Sequence, residues 1–138
     1  MSKTKVLVSA CLLGVPCRWH GRAIRPSGYV KKFLAEHPEV EAVPVCPEEL
    51  GGLPTPRPPV KRRGKRVWET CADKARRKDV TGAEVTDAFV AGAEATLAIA
   101  QENGCACAIL CNWSPSCDAR GITGSMLIEA GVEVKNTW

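Results

Sequence analysis

The sequence predicts an α/β fold: a single three-layer domain with a small, mostly parallel sheet and flanking helices. Short apolar segments alternate with segments of helical periodicity, which is typical of parallel βαβ units. The apolar segments are continuous rather than alternating, as expected for strands buried on both faces. The chain has 138 residues, of which 45% are hydrophobic and 25% charged. This size and balance fit one globular domain over residues 1–138 with its own core.

The first half of the chain predicts two strands and one helix. Residues 5–10 form a short apolar strand, and residues 28–36 form a helix with one apolar face. Residues 40–46 form the second strand, in which Pro44 indicates an edge position or a strand end because proline has no N–H to donate. Residues 47–64 are so rich in proline and glycine that we expect a long loop without regular structure.

The second half predicts the remaining elements. Thr86 is expected to cap a helix over residues 87–103, and Gly104 is expected to end that helix. The other elements are expected to be short: a strand at 66–70, a strand at 106–111, a helix at 122–130 and a last strand at 132–134.

Positive charge is concentrated in one part of the chain, residues 57–78, which we call the basic segment. It holds ten Lys or Arg residues against two acidic residues, a net charge of +8, whereas the whole chain is +4. Such a segment is either a landing site for RNA or phosphate groups or a solvated surface loop. Only Trp68 interleaves with the charges, so the pattern gives little support to a base-stacking platform.

The eight cysteines are best explained by metal binding or catalysis. The N-terminal apolar run is too short for a signal peptide, and no stretch reaches transmembrane length. We therefore expect a soluble cytoplasmic protein without membrane partners, in which cysteines serve metals or catalysis more often than disulfides. Some of them can also be small buried apolar residues, which is the simpler interpretation of Cys105 and Cys107.

Three cysteines follow predicted strands where the chain enters a turn: Cys11, Cys46 and Cys117. Ligands of open α/β sheets bind beyond the carboxyl ends of the strands, so these thiols are expected to meet in one crevice. Three protein ligands would leave a metal centre with an open position, as in catalytic sites. Thiolate ligands favour an iron–sulfur cluster or zinc. Cys11 and Cys17 could instead be a redox pair.

Several polar residues are expected beside this crevice. Glu48 follows Cys46 closely and is a candidate general acid or base, or else a surface carboxylate at a helix start. The hydroxyls of Ser114 and Ser116 could bind substrate or tune a metal centre, although they also suit ordinary turn chemistry.

Substrate contacts are expected from three further residues. Arg18 borders the crevice and could bind an anion or the edge of a base. Gly51 and Gly52 would let backbone N–H groups approach a ligand closely, or they only shape the turn.

At these same positions the sequence resembles the thiouracil desulfidase family. The resemblance is carried by three stretches: Ser9-Ala10-Cys11-Leu12-Leu13-Gly14 with Cys17-Arg18, Val43-Pro44-Val45-Cys46-Pro47-Glu48 continuing through Leu50 to Pro59, and Ser114-Pro115-Ser116-Cys117. It implies a small α/β protein with a [4Fe-4S] cluster that is held by three cysteines and has its fourth iron free. It also implies that Cys11, Cys46 and Cys117 are the ligands, that Glu48 is the catalytic carboxylate and that Ser114 assists it.

The implied reaction is non-redox removal of sulfur from a thiolated pyrimidine base or nucleoside, with release of sulfide. Related enzymes act on thiolated nucleosides in RNA, which would give the basic segment a use. The alternative is a non-catalytic, metal-stabilised module that binds RNA or nucleotides. The oligomeric state is not indicated by the sequence.

The resemblance has local departures around the third cysteine. The family usually has Lys-Ser-Arg where this chain has Cys111-Asn112-Trp113, and a glycine where it has Asp118. The family's glycine-rich loop between this cysteine and the last helix is also shorter here.

Overall fold

A four-stranded parallel sheet forms the centre of the structure, a computed structural model that describes residues 4–70 and 82–138. The strand order is β2-β1-β5-β6, and each neighbouring pair is parallel. The strands are β1 (Thr4–Ser9), β2 (Val40–Val45), β3 (Val60–Arg63), β4 (Arg66–Glu69), β5 (Cys107–Cys111) and β6 (Glu133–Thr137). The helices are α1 (Gly28–Glu36), α2 (Pro47–Leu50), α3 (Thr86–Glu102) and α4 (Ile122–Glu129), with a 3₁₀ turn at Ala10–Leu13.

The order of the strands creates a crevice in the middle of the sheet. From β1 the chain passes through α1 to the edge strand β2, and from β5 it passes through α4 to the opposite edge strand β6. The direction of winding therefore reverses between β1 and β5, which is where open α/β sheets place their ligand sites. The predicted α/β fold with a mostly parallel sheet and flanking helices is confirmed.

The core lies on both sides of the two central strands. Leu7 on β1 and Leu110 on β5 are fully buried, as are Val30 on α1 and Leu127 on α4. Continuous apolar strands are thus explained by burial on both faces. Pro44 stands opposite Val8 on the edge strand β2, as its missing N–H predicted.

The expectation of an irregular loop over residues 47–64 is wrong at both ends. Pro47 opens the short helix α2, and β3 pairs with β4 in an antiparallel hairpin. Proline suits the first position of a helix because the N–H it lacks would have no partner there. Gly64 turns the hairpin with φ +60.

The predicted cap of α3 is also wrong. The helix begins at Thr86, with Val85 at the N-cap position and no capping side chain. The Thr86 hydroxyl instead accepts a hydrogen bond from the Val67 backbone N–H at 2.9 Å, which ties α3 to β4. Gly104 follows the helix with φ +65, as expected of a helix-ending glycine.

A close contact between two helices fixes the position of α2. A Cβ atom at Gly51 would overlap the Ala88 carbonyl of α3, and one at Gly92 of α3 would overlap the Pro47 carbonyl. The two backbones can approach in this way only because both positions are glycine. Within the described ranges, no helix has the length and apolar character needed to cross a membrane.

Candidate active site

A cavity of about 250 Å³ opens at the carboxyl ends of β1, β2 and β5. This volume lies just below the range of about 300–1,000 Å³ that is usual for drug-sized ligands, so the cavity suits a small ligand. Its lining includes all three cysteines expected there and four of the polar residues: Cys11, Cys46, Cys117, Arg18, Glu48, Ser114 and Ser116.

Each of the three cysteines is positioned by the turn that follows a strand. Cys11 lies in the 3₁₀ turn after β1, which Gly14 closes with φ +92. Cys46 follows β2 directly and occupies the N-cap position of α2. Cys117 lies in the turn between β5 and α4, where its N–H donates to Ser114 Oγ at 3.1 Å.

Two more cysteines complete a continuous row of five thiols. The Cys46 thiol donates a hydrogen bond to the Cys17 carbonyl at 3.8 Å, and each thiol affects the acidity of the next in the order Cys117, Cys111, Cys11, Cys17 and Cys46. All five line the cavity. Sequence spacing had left Cys17 as a possible redox partner of Cys11 and had given no role to Cys111. The position of Cys111 at the end of β5 was the signal that could have placed it here.

The thiols of this row differ in acidity because of their partners. Hydrogen bonds from Cys11 and Cys46 lower the pKa of Cys17 from 9.0 to about 3, and the Arg57 guanidinium acts in the same direction. The hydrogen bond that Cys111 donates to Cys11 raises the pKa of Cys111 to about 12. A similar bond to Cys111, together with burial, raises the pKa of Cys117. Cys17 is therefore the thiol of this row whose negative charge is stabilised beside Arg57, whereas the pKa of Cys11 and that of Cys46 are raised.

The donor set fits an iron–sulfur cluster better than a single ion. Cysteine thiolates are the usual ligands of such clusters, and the Ser9 hydroxyl donates to Cys117, whose sulfur also lies 3.8 Å from Ser116 Oγ. Among residues 4–70 and 82–138, no three His, Cys, Asp or Glu side chains are close enough to hold one metal ion. A cluster distributes its ligands over several irons, so its cysteines stand farther apart than the ligands of one zinc.

Glu48 is held at the cavity wall by two side chains. Its Oε2 accepts a hydrogen bond from Arg57 Nε at 2.7 Å and also pairs with Arg57 Nη2. Its Oε1 accepts a hydrogen bond from Ser116 Oγ at 3.2 Å. Arg57 Nη2 in turn donates to the Cys17 carbonyl at 2.9 Å. The pairing of Arg57 with Glu48 was not predicted from the sequence, because the stretch Pro56-Arg57-Pro58-Pro59 does not indicate where the guanidinium lies.

The two serines extend this network along the cavity. Ser114 Oγ lies 3.1 Å from Ser116 Oγ, and it accepts hydrogen bonds from the N–H groups of Ser116 and Cys117 at 3.2 and 3.1 Å. Hydrogen-bonded groups thus run without a break from Ser114 through Ser116 to Glu48. Such a row can both orient a carboxylate and carry a proton.

Comparison with known proteins finds relatives over nearly the whole chain. The profile of the 2-thiouracil desulfurase family matches residues 6–136. The chain belongs to this family. The uncharacterized protein YbbK of Bacillus subtilis (strain 168) is 33% identical over 144 residues, covering 94% of this chain and 93% of YbbK. A solved structure, that of the [4Fe-4S]-dependent thiouracil desulfidase TudS, is 34% identical, with a TM-score of 0.78 and coverage of 97% of this chain and 91% of its own.

At the mouth of the cavity, this chain differs from the usual sequence of the desulfurase family. Trp113 has φ +60 and a side chain that is 84% exposed, and its N–H donates to Asp118 Oδ2 at 3.2 Å. Arg18 also lies at the mouth, with its guanidinium 5.1 Å from the centre of the Trp138 ring. The chain passes from Asp118 to Ile122 of α4 in a short turn, as the sequence indicated.

Two glycines that we expected at the substrate are not brought to the cavity. Gly51 packs against α3, and Gly52 is exposed with φ +91 in the turn after α2. Gly51 lets α2 approach α3 and Gly52 turns the chain, in agreement with the turn-shaping alternative. Cys105 and Cys107 lie at the other end of the sheet, where both contact the core.

The basic segment is only partly described. Residues 71–78, with Cys71 and four of the ten cations, lie outside the described residues. In the described part, Arg57 forms an ion pair with Glu48, and Arg66 forms one with Glu84 at 2.9 Å. These pairings reduce the free positive charge that the sequence had suggested for RNA.

Proposed function

We propose that this protein is an enzyme that removes sulfur from a thiolated pyrimidine base or nucleoside of the 2-thiouracil type. Thiolated pyrimidine and water would give the oxo pyrimidine and hydrogen sulfide, with no net electron transfer. The observation that carries the proposal is that Cys11, Cys46, Cys117 and Glu48 line one cavity. Membership of the desulfurase family and similarity to a [4Fe-4S]-dependent thiouracil desulfidase support it.

Cys11, Cys46 and Cys117 would hold a [4Fe-4S] cluster. When bound, the cluster would supply an iron without a cysteine ligand, a soft Lewis acid that polarises the thiocarbonyl group. The thiols are buried or half-buried, so they exclude bulk water from this position.

Glu48 is the proposed general base. Its carboxylate faces the cavity, and its side chain is 14% exposed, so it can reach a water molecule inside the site. It would take a proton from the water that attacks the thiocarbonyl carbon, and it would return a proton to the departing sulfur. Arg57 fixes one of its oxygens, which leaves the other oriented by Ser116.

Ser114 and Ser116 are proposed to assist Glu48. Because two backbone N–H groups occupy Ser114 Oγ as an acceptor, its own hydrogen is available to Ser116 or to the substrate. Ser116 would accept a hydrogen bond from Ser114, donate one to Glu48 and contact the pyrimidine. Arg18, at the mouth of the cavity, is proposed to bind a carbonyl or other polar group of the substrate.

Sulfide release from 2-thiouracil tests the proposed function. We would measure sulfide and uracil formed by anaerobically reconstituted protein, by the Glu48→Gln variant and by the Glu49→Gln variant. Glu49 is the matched control because it is exposed, is bonded to Thr55 at 2.6 Å and does not line the cavity. We expect turnover by the unchanged protein and by Glu49→Gln, and none by Glu48→Gln despite normal iron content.

Two results would contradict the proposal. Full activity of Glu48→Gln would remove this carboxylate from the mechanism. A fully loaded protein that released no sulfide from thiouracil, thiouridine or their 4-thio isomers would favour the alternative of a non-catalytic binding module. Binding of RNA would then be measured as a function of salt concentration, since phosphate contacts weaken as salt rises.

A further inference from the structure

Asn136 lies on the edge strand β6, and its side chain reaches the turn that carries Cys117. Its Nδ2 donates to the Cys117 carbonyl at 2.9 Å, and its Oδ1 accepts a hydrogen bond from the Ala119 N–H at 2.8 Å. Nδ2 also lies 3.4 Å from the carbonyl oxygens of Leu110 and Cys111 at the end of β5. One side chain therefore connects β5, β6 and the turn between β5 and α4.

The contacts of Asn136 use both functions of its amide. Nδ2 faces three carbonyl oxygens, and Oδ1 faces an N–H group. A carboxamide offers a donor and an acceptor together, whereas a carboxylate only accepts and a hydrocarbon does neither. Asparagine is disfavoured in strands, so its presence on β6 is explained by these contacts and not by strand propensity.

The peptide groups of Cys117 are held on both sides. Its N–H donates to Ser114 Oγ at 3.1 Å, and its carbonyl accepts the hydrogen bond from Asn136. Ser116, the preceding residue, donates to Glu48 Oε1 at 3.2 Å. Loss of the bond from Asn136 would therefore free both the Cys117 thiol and the hydroxyl that orients Glu48.

We propose that Asn136 is a positioning residue whose amide holds the turn that presents Cys117 to the iron–sulfur cluster and Ser116 to Glu48. The roles of Cys117 as a ligand and of Glu48 as the base rest on the proposed function. Asn136 does not line the cavity, so it acts through the turn and not on the substrate. Groups that orient metal ligands in this way typically change metal affinity or activity by about 10–100-fold when they are replaced.

Two variants of Asn136 test the proposal. Asn136→Asp has the same size and keeps the acceptor for the Ala119 N–H, but it replaces the donor with an oxygen that faces the Cys117 carbonyl. Asn136→Val removes both functions and is favoured in a strand, so it gives the answer if Asn136→Asp does not fold. Asn103→Ala is the matched control, because this amide also donates to a carbonyl, that of Ile99 at 2.8 Å, but lies at the end of α3 and outside the cavity lining.

Three readouts separate positioning from general stability. They are amide hydrogen exchange over residues 114–119 in the cluster-free protein, the rate at which reconstituted protein transfers iron to an added chelator, and kcat for 2-thiouracil at equal iron content. The last is insensitive to a general loss of stability, because only folded and loaded protein turns over.

We expect both Asn136 variants to show faster exchange across the turn. Iron loss should be faster by about 10–100-fold and kcat lower by a similar factor, as for other groups that orient metal ligands. Asn103→Ala should match the unchanged protein in all three readouts. An Asn136 variant that folds but takes up no cluster would count as complete loss of retention and would support the proposal.

Two outcomes overturn the proposal. Iron release and kcat equal to those of the unchanged protein in the Asn136 variants would show that the turn keeps its place without this amide. Equally large changes in Asn103→Ala would assign the effect to general destabilisation. Failure of the proposed function is distinguishable, because in that case the unchanged protein itself takes up no cluster or releases no sulfide, while hydrogen exchange still reports whether Asn136 holds the turn.

Discussion

Arg57 determines how the proposed catalytic carboxylate is presented. Its side chain is 6% exposed, and its guanidinium contacts Glu48, the Cys17 carbonyl and Thr55 Oγ1 at the same time. A planar fork of donors can fix a carboxylate in one orientation, which a lysine ammonium cannot do. Arg57 therefore connects the Glu48 side of the cavity to the row of thiols.

Substitution of Arg57 should consequently reduce turnover without removing a reacting group. We expect Arg57→Gln to lower kcat by about 100-fold, the order of loss that follows misplacement of a catalytic group. Arg57→Lys should lose less, because it keeps the charge and loses the fork. Steady-state kinetics at equal iron content measure the effect, and an unchanged kcat in Arg57→Gln would show that Glu48 needs no such support.

The residues of the site were predictable to different degrees. Cys11, Cys46 and Glu48 follow strands directly, so the rule for parallel sheets indicated their common location. Arg57 lies nine residues from Glu48 in a segment without a regular pattern, and only the folded turn after α2 brings the two together. Gly51 lies against α3 and outside the cavity lining, and a glycine needed against a helix looks, in sequence, like one needed against a ligand.

Among the helices, the contact between α2 and α3 holds in place the part of the site that α2 contributes. Cys46 caps α2 and Glu48 lies within it, so the position of this helix sets the position of both residues. The contact depends on the absence of side chains at Gly51 and Gly92.

We therefore expect Gly92→Ala to destabilise the protein, although alanine is the better helix former. The added methyl group would overlap the Pro47 carbonyl, and overpacking of this kind costs about 1–3 kcal/mol. Gly28→Ala on α1 is the matched control, because a Cβ there meets no atom within 4 Å. Urea unfolding of both variants measures the difference, and equal stability of the two would contradict the close contact.

Cys105, next to the end of the sheet opposite the cavity, should make the free energy of unfolding depend on pH in the alkaline range. Burial raises the pKa of the Cys105 thiol, with a smaller contribution from Cys107. The unfolded thiol, with a pKa of about 8.5, loses its proton first, so the unfolded state binds fewer protons and the free energy of unfolding falls as pH rises above that value.

Replacement of this thiol should make the decline shallower. We expect the Cys105→Ala variant to lose less stability than the unchanged protein between about pH 8 and pH 10, although it starts lower because a buried group is lost. Urea midpoints of reduced protein across this range provide the measurement. Parallel curves for the two proteins would mean that Cys105 keeps its ordinary pKa in the folded chain.

At the scale of the whole molecule, the path of the chain explains why the site lies where it does. Reversal of the winding between β1 and β5 opens the crevice, and the turns after β1, β2 and β5 each deliver one proposed ligand to it. The alternation of apolar and amphipathic segments predicted this sheet correctly. Of the hairpin formed by β3 and β4, only the second strand was predicted. The first strand follows a run of prolines, which are typical of loops and hide the strand pattern.

The five-thiol row was beyond sequence reasoning for a physical reason. Spacing along the chain does not state on which side of a turn a side chain points, so Cys17 and Cys111 could not be separated from core cysteines such as Cys107. Their shared cavity with the proposed ligands became evident only when the ends of three strands were placed side by side.

The central claim is hydrolytic removal of sulfur at a cluster held by Cys11, Cys46 and Cys117. Its most direct measurement is turnover of 2-thiouracil by the reconstituted protein in ¹⁸O-labelled water, with mass analysis of the pyrimidine and assay of sulfide. The account predicts one labelled oxygen per uracil formed, equal amounts of uracil and sulfide, and no product from the cluster-free protein. Equal turnover without the cluster, or uracil that carries no label, would contradict it.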